Sequence, residues 1–193
     1  MRKFVTAATL AVGLSLSMPV FAQETAAGRL AAPGPEHVWM NPLIGDWRVE
    51  MLVYPGPGAE PIVSDEVTAT RQLVLGGRYL REELRGSVFG QPSERDGVLG
   101  FNRLEDRFEW VTQDTFEPGQ MVYFGRGDGS ETGWSMWGES TEAGFGEEPS
   151  GRKRDLRFEF EIVNQNYNVQ RIFAKFPGQA EYLFVEQRFR RTR

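Results

Sequence analysis

Arg71 and Glu82 are charged residues set among apolar ones, and their spacing suggests why. From Glu66 to Gly86 the chain reads Glu-Val-Thr-Ala-Thr-Arg-Gln-Leu-Val-Leu, then Gly76-Gly77, then Arg-Tyr-Leu-Arg-Glu-Glu-Leu-Arg-Gly. Two β-type runs around a glycine pair predict a hairpin, because both glycines accept positive φ. With Gly76-Gly77 as the whole loop, Leu75 faces Arg78, Leu73 faces Leu80, Arg71 faces Glu82 and Ala69 faces Leu84. Side chains alternate between faces, so Val67, Ala69, Leu73, Leu80 and Leu84 form one apolar face with Arg71 and Glu82 at its middle. Thr68, Thr70, Gln72, Arg81, Glu83 and Arg85 form the solvated face. A buried charge needs a partner, and this register supplies one. Two readings stand: a structural ion pair inside a barrel, or a polar anchor on the wall of a ligand cavity. In either, replacing both residues by apolar ones should recover much of the stability that one replacement loses.

Other chemistry is sparse. The chain has no cysteine and one histidine, which excludes disulfides, cysteine-zinc sites and thiol catalysis. One histidine, His37, makes no multi-histidine metal site; its expected role is to cap or pack a short helix, and no metal or cofactor is implied. There is no Gly-x-Ser-x-Gly, and Gly125-x-Gly127-x-Gly129 precedes no helical pattern, so neither a serine hydrolase nor a nucleotide site is indicated. Acid–base work by Glu82, Asp114 or Glu186 is open, since an apolar interior raises a carboxyl pKa. Arg71 opposes this at Glu82 by holding the carboxylate ionised. Trp110, Tyr123, Trp134, Trp137, Phe158, Phe160 and Phe173 could line an interior and offer broad apolar contact. The candidate ligand-binding set is therefore Arg71, Glu82, Trp110, Asp114, Tyr123, Trp134 and Trp137.

The elements that position these residues can be read along the chain. Arg2 and Lys3, an apolar run from Ala7 to Val20, and Val20-Phe21-Ala22 predict a signal peptide, cleaved so that the mature chain starts at Gln23. The run is short and broken by Ser15, Ser17 and Pro19, which disfavours a retained membrane span. The 193-residue chain carries a net charge of −5, and cleavage makes it more acidic by removing two basic residues. With no basic block, nucleic acid is not an expected partner. Gln23 to Gly34 reads as a flexible leader, and Pro35-Glu36-His37 opens a helix of about two turns limited by Pro42. A strand from Trp47 to Tyr54 follows, then a loop over Pro55 to Pro61. After the hairpin, Phe89 to Asp96 reads as an irregular link. Strands are expected at Gly97–Asn102, Arg107–Asp114, Met121–Arg126 and Gly133–Glu139, the last two joined across Gly127-Asp128-Gly129-Ser130. Ser140 to Lys153 reads as the longest mobile loop. Arg154–Val163, Tyr167–Phe176 and Ala180–Arg190 complete about ten short strands joined by tight turns. Spacing of this kind predicts an all-β antiparallel meander, and closure into an up-and-down barrel removes its edges and encloses its aromatics. The whole of residues 35–193 forms that one domain.

Gly45-Asp46-Trp47 after a short helix resembles the Gly-x-Trp signature of lipocalin-like, or calycin, barrels. The wider series Pro35-Glu36-His37, Leu43-x-Gly45-x-Trp47, Gly76-Gly77-Arg78-Tyr79-Leu80-x-Glu82, Gly97-x-Leu99-Gly100-Phe101, and late Glu186, Phe189 and Arg191 resembles a bacterial family of uncharacterised small β proteins, many secreted. The resemblance implies a lipocalin-like barrel with a cavity for a small apolar or amphipathic ligand, and no established activity. It also implies a late arginine packed over Trp47, with Arg188 or Arg190 the candidates. Haem-binding barrels related to this fold use a histidine ligand; His37, in the helix, departs from that pattern. The expected function is an exported, periplasmic or secreted barrel binding such a molecule without stable membrane insertion. The alternatives are a cofactor-independent isomerase or lyase using the same cavity, and a filled-barrel structural or interaction module of the cell envelope.

Overall fold

The computed structural model describes residues 25–127, 132–144 and 150–192. The predicted signal segment Met1–Ala22, the tip of the loop after Gly127 and part of the Ser140–Lys153 loop lie outside the described residues. Ten strands follow one another: β1 (Gly45–Val53), β2 (Ile62–Val74), β3 (Tyr79–Val88), β4 (Gln91–Asn102), β5 (Arg107–Asp114), β6 (Met121–Gly127), β7 (Gly133–Thr141), β8 (Lys153–Asn164), β9 (Tyr167–Lys175) and β10 (Tyr182–Arg191). Each pairs antiparallel with the next, and β10 returns to β1, so the sheet is a closed up-and-down barrel. Trp47 stands opposite Arg191 at one end of the closing seam and Val53 opposite Val185 at the other. Closure pairs every strand on both sides and leaves no open edge.

The register of the β2–β3 hairpin is as expected: Arg71 faces Glu82, Leu73 faces Leu80 and Ala69 faces Leu84. The loop itself is longer. Val74 and Tyr79 are the last pair, and Leu75, Gly76 and Gly77 have φ of 50°, 73° and 87°. A four-residue turn with three left-handed residues preserves the register of a two-residue one. Leu75 is 70% exposed and is not part of the apolar face.

Three further expectations are corrected. The stretch Phe89–Asp96 is not an irregular link: the chain turns at Phe89-Gly90 with positive φ at both, and Gln91 already pairs with Val88. The inward residues of this half of β4 are Ser93 and Arg95, followed by Gly97, so no apolar alternation marks the strand. The Gln23–Gly34 leader holds a short helix, α1 (Ala26–Ala31), whose Gly28 N–H is accepted by the Thr25 hydroxyl at 3.0 Å. The arginine over Trp47 is Arg191, 4.2 Å from the ring centroid. Arg188 and Arg190 lie elsewhere, Arg188 on Glu50 and Glu186 and Arg190 over Tyr167. Parity explains this: Trp47 pairs directly with Arg191 at the strand end, where a long side chain can fold over the barrel rim.

That end of the barrel is plugged. A 3-10 helix over Pro35–Leu43 lays fully buried Met40 and Leu43 across it. Trp47, 1% exposed, donates its indole N–H to the Leu43 carbonyl at 2.9 Å. Arg191 donates to the carbonyls of Pro42, Ile44 and Gln165, which satisfies the carbonyl end of the helix. His37 accepts the Gly34 N–H on Nδ1 at 2.9 Å, and burial holds its imidazole below the ordinary range. It caps the helix as a neutral ring. Below the helix an aromatic column runs into the barrel: Trp39 stacks on Phe108, Phe108 on Trp134, and Trp134 on Phe160. The outer wall is charged, and Glu50, Arg188, Glu186, Arg171 and Glu161 form an unbroken ladder of ion pairs across β1, β10, β9 and β8.

Candidate functional site

The aromatic column ends on Arg71. Its guanidinium lies 3.9 Å from the Phe189 centroid, 5.5 Å from Phe160 and 5.6 Å from Trp47. Ring faces of this kind attract a desolvated cation. Arg71 Nε donates to Glu82 Oε2 at 2.7 Å, Nη2 lies 2.7 Å from the same oxygen, and Nη1 donates to Asn168 Oδ1 at 3.0 Å. The expected pair is therefore present, on the inner face, with both residues 1% exposed.

Glu82 has a second cation that the sequence reading missed. Arg95 Nη2 donates to Glu82 Oε1 at 2.6 Å and to Gln187 Oε1 at 3.0 Å. Glu82, on β3, is thus a bridge between guanidiniums on β2 and β4, the two strands that flank its own. Burial alone would push its carboxyl up, but Arg71 and Arg95 outweigh this and hold it below the ordinary carboxylate range. A carboxylate so held is a poor general acid or base near neutral pH. Gln187, Gln170 and Asn168 extend the polar layer across the barrel; Gln170 pairs with Gln187 in the ladder, and Asn168 with Phe189.

On the far side of this layer the barrel is open. A cavity of about 140 Å³ reaches from Arg95 and Gln187 to the mouth. Its walls are largely apolar and include Met51, Val88, Leu156, Ile172 and Val185. Tyr123 reaches it with its hydroxyl directed at Met121 Sδ, 3.4 Å away, and burial pushes the phenol above its usual range. At the mouth Arg154 Nη2 donates to Glu117 Oε1 at 2.5 Å; burial pushes the Glu117 carboxyl up, against the pull of Arg154. Phe89 and Phe116 meet edge to face on the rim.

The predicted site residues divide accordingly. Arg71 and Glu82 form the polar layer, and Tyr123 reaches the cavity. Trp110 and Trp134 point inward but pack below it, Trp110 against Phe158 and Trp134 in the aromatic column. Trp110 lies over Gly97, where a β-carbon would stand 2.4 Å from its Cη2. Asp114 sits at the mouth, where Oδ1 accepts the N–H groups of Phe116 and Glu117. Trp137 is on the outside, 55% exposed. It is three residues from Trp134, and an odd separation along a strand places two side chains on opposite faces. Phe173 is outside for the same reason: it neighbours inward Ile172 and Ala174 and carries Arg157 over its ring. Glu186 is likewise on the outer wall, between Arg171 and Arg188. The missed residue, Arg95, was legible only from strand parity with Gly97 and Leu99.

A search of curated proteins finds no match. The crystal structure of Rv2717c from M. tuberculosis is similar in fold, with a TM-score of 0.59 and 16% identity over 83% of this chain and 99% of that one. At that identity the likeness concerns the fold alone. The family described as "Protein of unknown function (DUF1579)" matches residues 32–191, from the leader through the whole barrel to the arginine that covers Trp47, and the chain belongs to it.

Proposed function

We propose that this protein is an exported, lipocalin-like barrel that binds a small apolar or amphipathic molecule in its open half. The observation that carries this reading is the division of the interior. One half is filled by aromatic packing, and the other is an apolar cavity that ends on a buried polar layer. Concave apolar walls with a few convergent polar groups are what small-molecule sites consist of. The charged ladder on the outer wall supports a barrel that works in water, because a membrane barrel presents an apolar band there. The N-terminal charges, apolar run and Val20-Phe21-Ala22 support export to the periplasm or beyond.

The test is native mass spectrometry of protein purified from its own host, followed by solvent extraction and identification of the released compound. A small amphipathic molecule should accompany the parent and be absent from Ile172→Trp, which fills the cavity with an indole. Protein that carries no such molecule, and that binds no apolar fluorescent probe competitively with Ile172→Trp, would refute the reading.

A further inference from the structure

We propose that the cavity takes a compact monocarboxylate, head inward, with its carboxylate on Arg95; this rests on the ligand-binding reading above. The first argument is charge. Three ionised side chains meet in the middle of the barrel, two guanidiniums and one carboxylate, and Arg71, Glu82 and Arg95 are all at most 7% exposed. The layer therefore carries one positive charge in excess. A buried charge without a counter-ion is costly, and a bound anion removes that cost.

The neighbouring charges do not supply the counter-ion. Asp114 stands opposite Arg95 in the ladder, but its bonded oxygen is used by the turn N–H groups of Phe116 and Glu117, and no bond joins it to Arg95. Glu117 is paired with Arg154. Glu142 is partly exposed at the mouth and accepts from Ser150.

The second argument is hydrogen bonding. Arg95 Nη2 serves Glu82 and Gln187, while Arg95 Nε is buried without a partner. Among the described residues inside the barrel, Trp134 Nε1, Asn168 Nδ2 and Gln170 Nε2 are also buried, unpartnered donors, Thr112 Oγ1 is an unpartnered hydroxyl able to donate or accept, and Gln170 Oε1 is an unpartnered acceptor. The interior thus has donors to spare, and buried donors call for an acceptor. Of these residues only Arg95 lines the cavity. A carboxylate there accepts from Arg95 in charge-assisted bonds.

The third argument is size. A volume of about 140 Å³ is close to that of an apolar cavity able to hold benzene, roughly 150 Å³. The ligand body is therefore a single aromatic ring or a short alkyl chain, and a longer tail leaves through the mouth past Phe89 and Phe116.

The experiment is calorimetric titration of the mature chain with octanoate, 1-octanol and octylamine. Octanoate should bind at least tenfold more tightly than octanol, and octylamine should bind least. Arg95→Met should remove the preference for octanoate and leave octanol binding in place. Arg95→Lys, which keeps the charge but lacks Nε, should lose octanoate affinity severalfold and serves if the methionine variant does not fold. Octanol binding as tightly as octanoate, or a preference unchanged in both variants, would overturn the carboxylate assignment while the cavity-binding reading stood. Failure of all three compounds to bind would overturn the assignment too, and the host-ligand measurement above would then decide the broader reading by itself.

Discussion

Glu82 is the residue on which the interior turns. Because Arg71 and Arg95 share it, the three single replacements are not equivalent. Glu82→Gln leaves two guanidiniums facing a neutral amide and should destabilise most, by about 3–5 kcal/mol. Arg71→Met leaves Glu82 bonded to Arg95 but removes the contacts to Asn168, Phe160, Phe189 and Trp47; a loss of about 3 kcal/mol is expected. Arg95→Met leaves the Arg71–Glu82 pair whole and removes the excess charge, so its loss should stay below about 2 kcal/mol. Replacing Arg71 and Glu82 together does not restore stability as it would for an isolated pair, because Arg95 then stands alone. The triple replacement should recover more than that double one. Denaturant melts of these five variants check the order, and a double variant as stable as the triple would show that the Arg95 charge is compensated without Glu82.

The same residue sets a pH dependence. Its folded pKa lies below the unfolded value of about 4.3, so its contribution is complete above that value and is lost as pH falls through the folded pKa. Glu181, also lowered by Arg157, adds a smaller share that salt screens because it is on the surface. Glu117 works in the opposite sense, since burial raises its pKa. Urea melts from pH 7 downward should show a steep loss below about pH 4, shallower in Glu82→Gln. Equal slopes would remove Glu82 from the account.

At the scale of elements, the β2–β3 hairpin shows what the sequence makes legible. Alternating apolar residues on both arms defined one face, the glycines located the turn, and the opposition of Arg71 to Glu82 followed even though the loop has four residues. β4 shows the limit. Its inward residues Ser93, Arg95 and Gly97 are polar or lack a side chain, so periodicity had nothing apolar to detect. Asn168, Gln170 and Gln187 were hidden for a different reason: their inward position matters only once β10 closes on β1 and brings Asn168 to Arg71 and Gln187 to Arg95. The late arginine over Trp47 was expected, but its identity depended on a one-residue register at the strand end. That contact carries a prediction. Trp47→Ala should cost about 3–5 kcal/mol, as for a large buried aromatic. Arg191→Met, which keeps the aliphatic cover but leaves the carbonyls of Pro42, Ile44 and Gln165 without their donor, should cost about 1–3 kcal/mol. A loss below about 1 kcal/mol for Trp47→Ala in a denaturant melt would place it outside the core.

The whole molecule is a barrel with one plugged end and one open end, and its N-terminal segments differ in what they contribute to that shape. α1 buries no residue, and Arg103 Nη1 ties it to the barrel by donating to the Arg29 and Ala32 carbonyls. The 3-10 helix buries Met40 and Leu43 completely and holds the Trp47 and Arg191 contacts. Burial of a Met or Leu side chain contributes about 1.5–3 kcal/mol each. Chains beginning at Gln23 and at Pro33 should therefore melt within about 1 kcal/mol of each other, the ordinary range for changes that touch no buried group. A chain beginning at Gly45 should lose about 3–6 kcal/mol, twice the single-residue figure, and expose the aromatic column from Phe108 to Phe160 to solvent, with a rise in binding of an apolar dye. Intact-mass analysis of protein exported by its host should find Gln23 as the first residue. Equal melting of all three truncated chains would mean that the aromatic column closes the barrel without the helix, and that Met40 and Leu43 add cover but little stability.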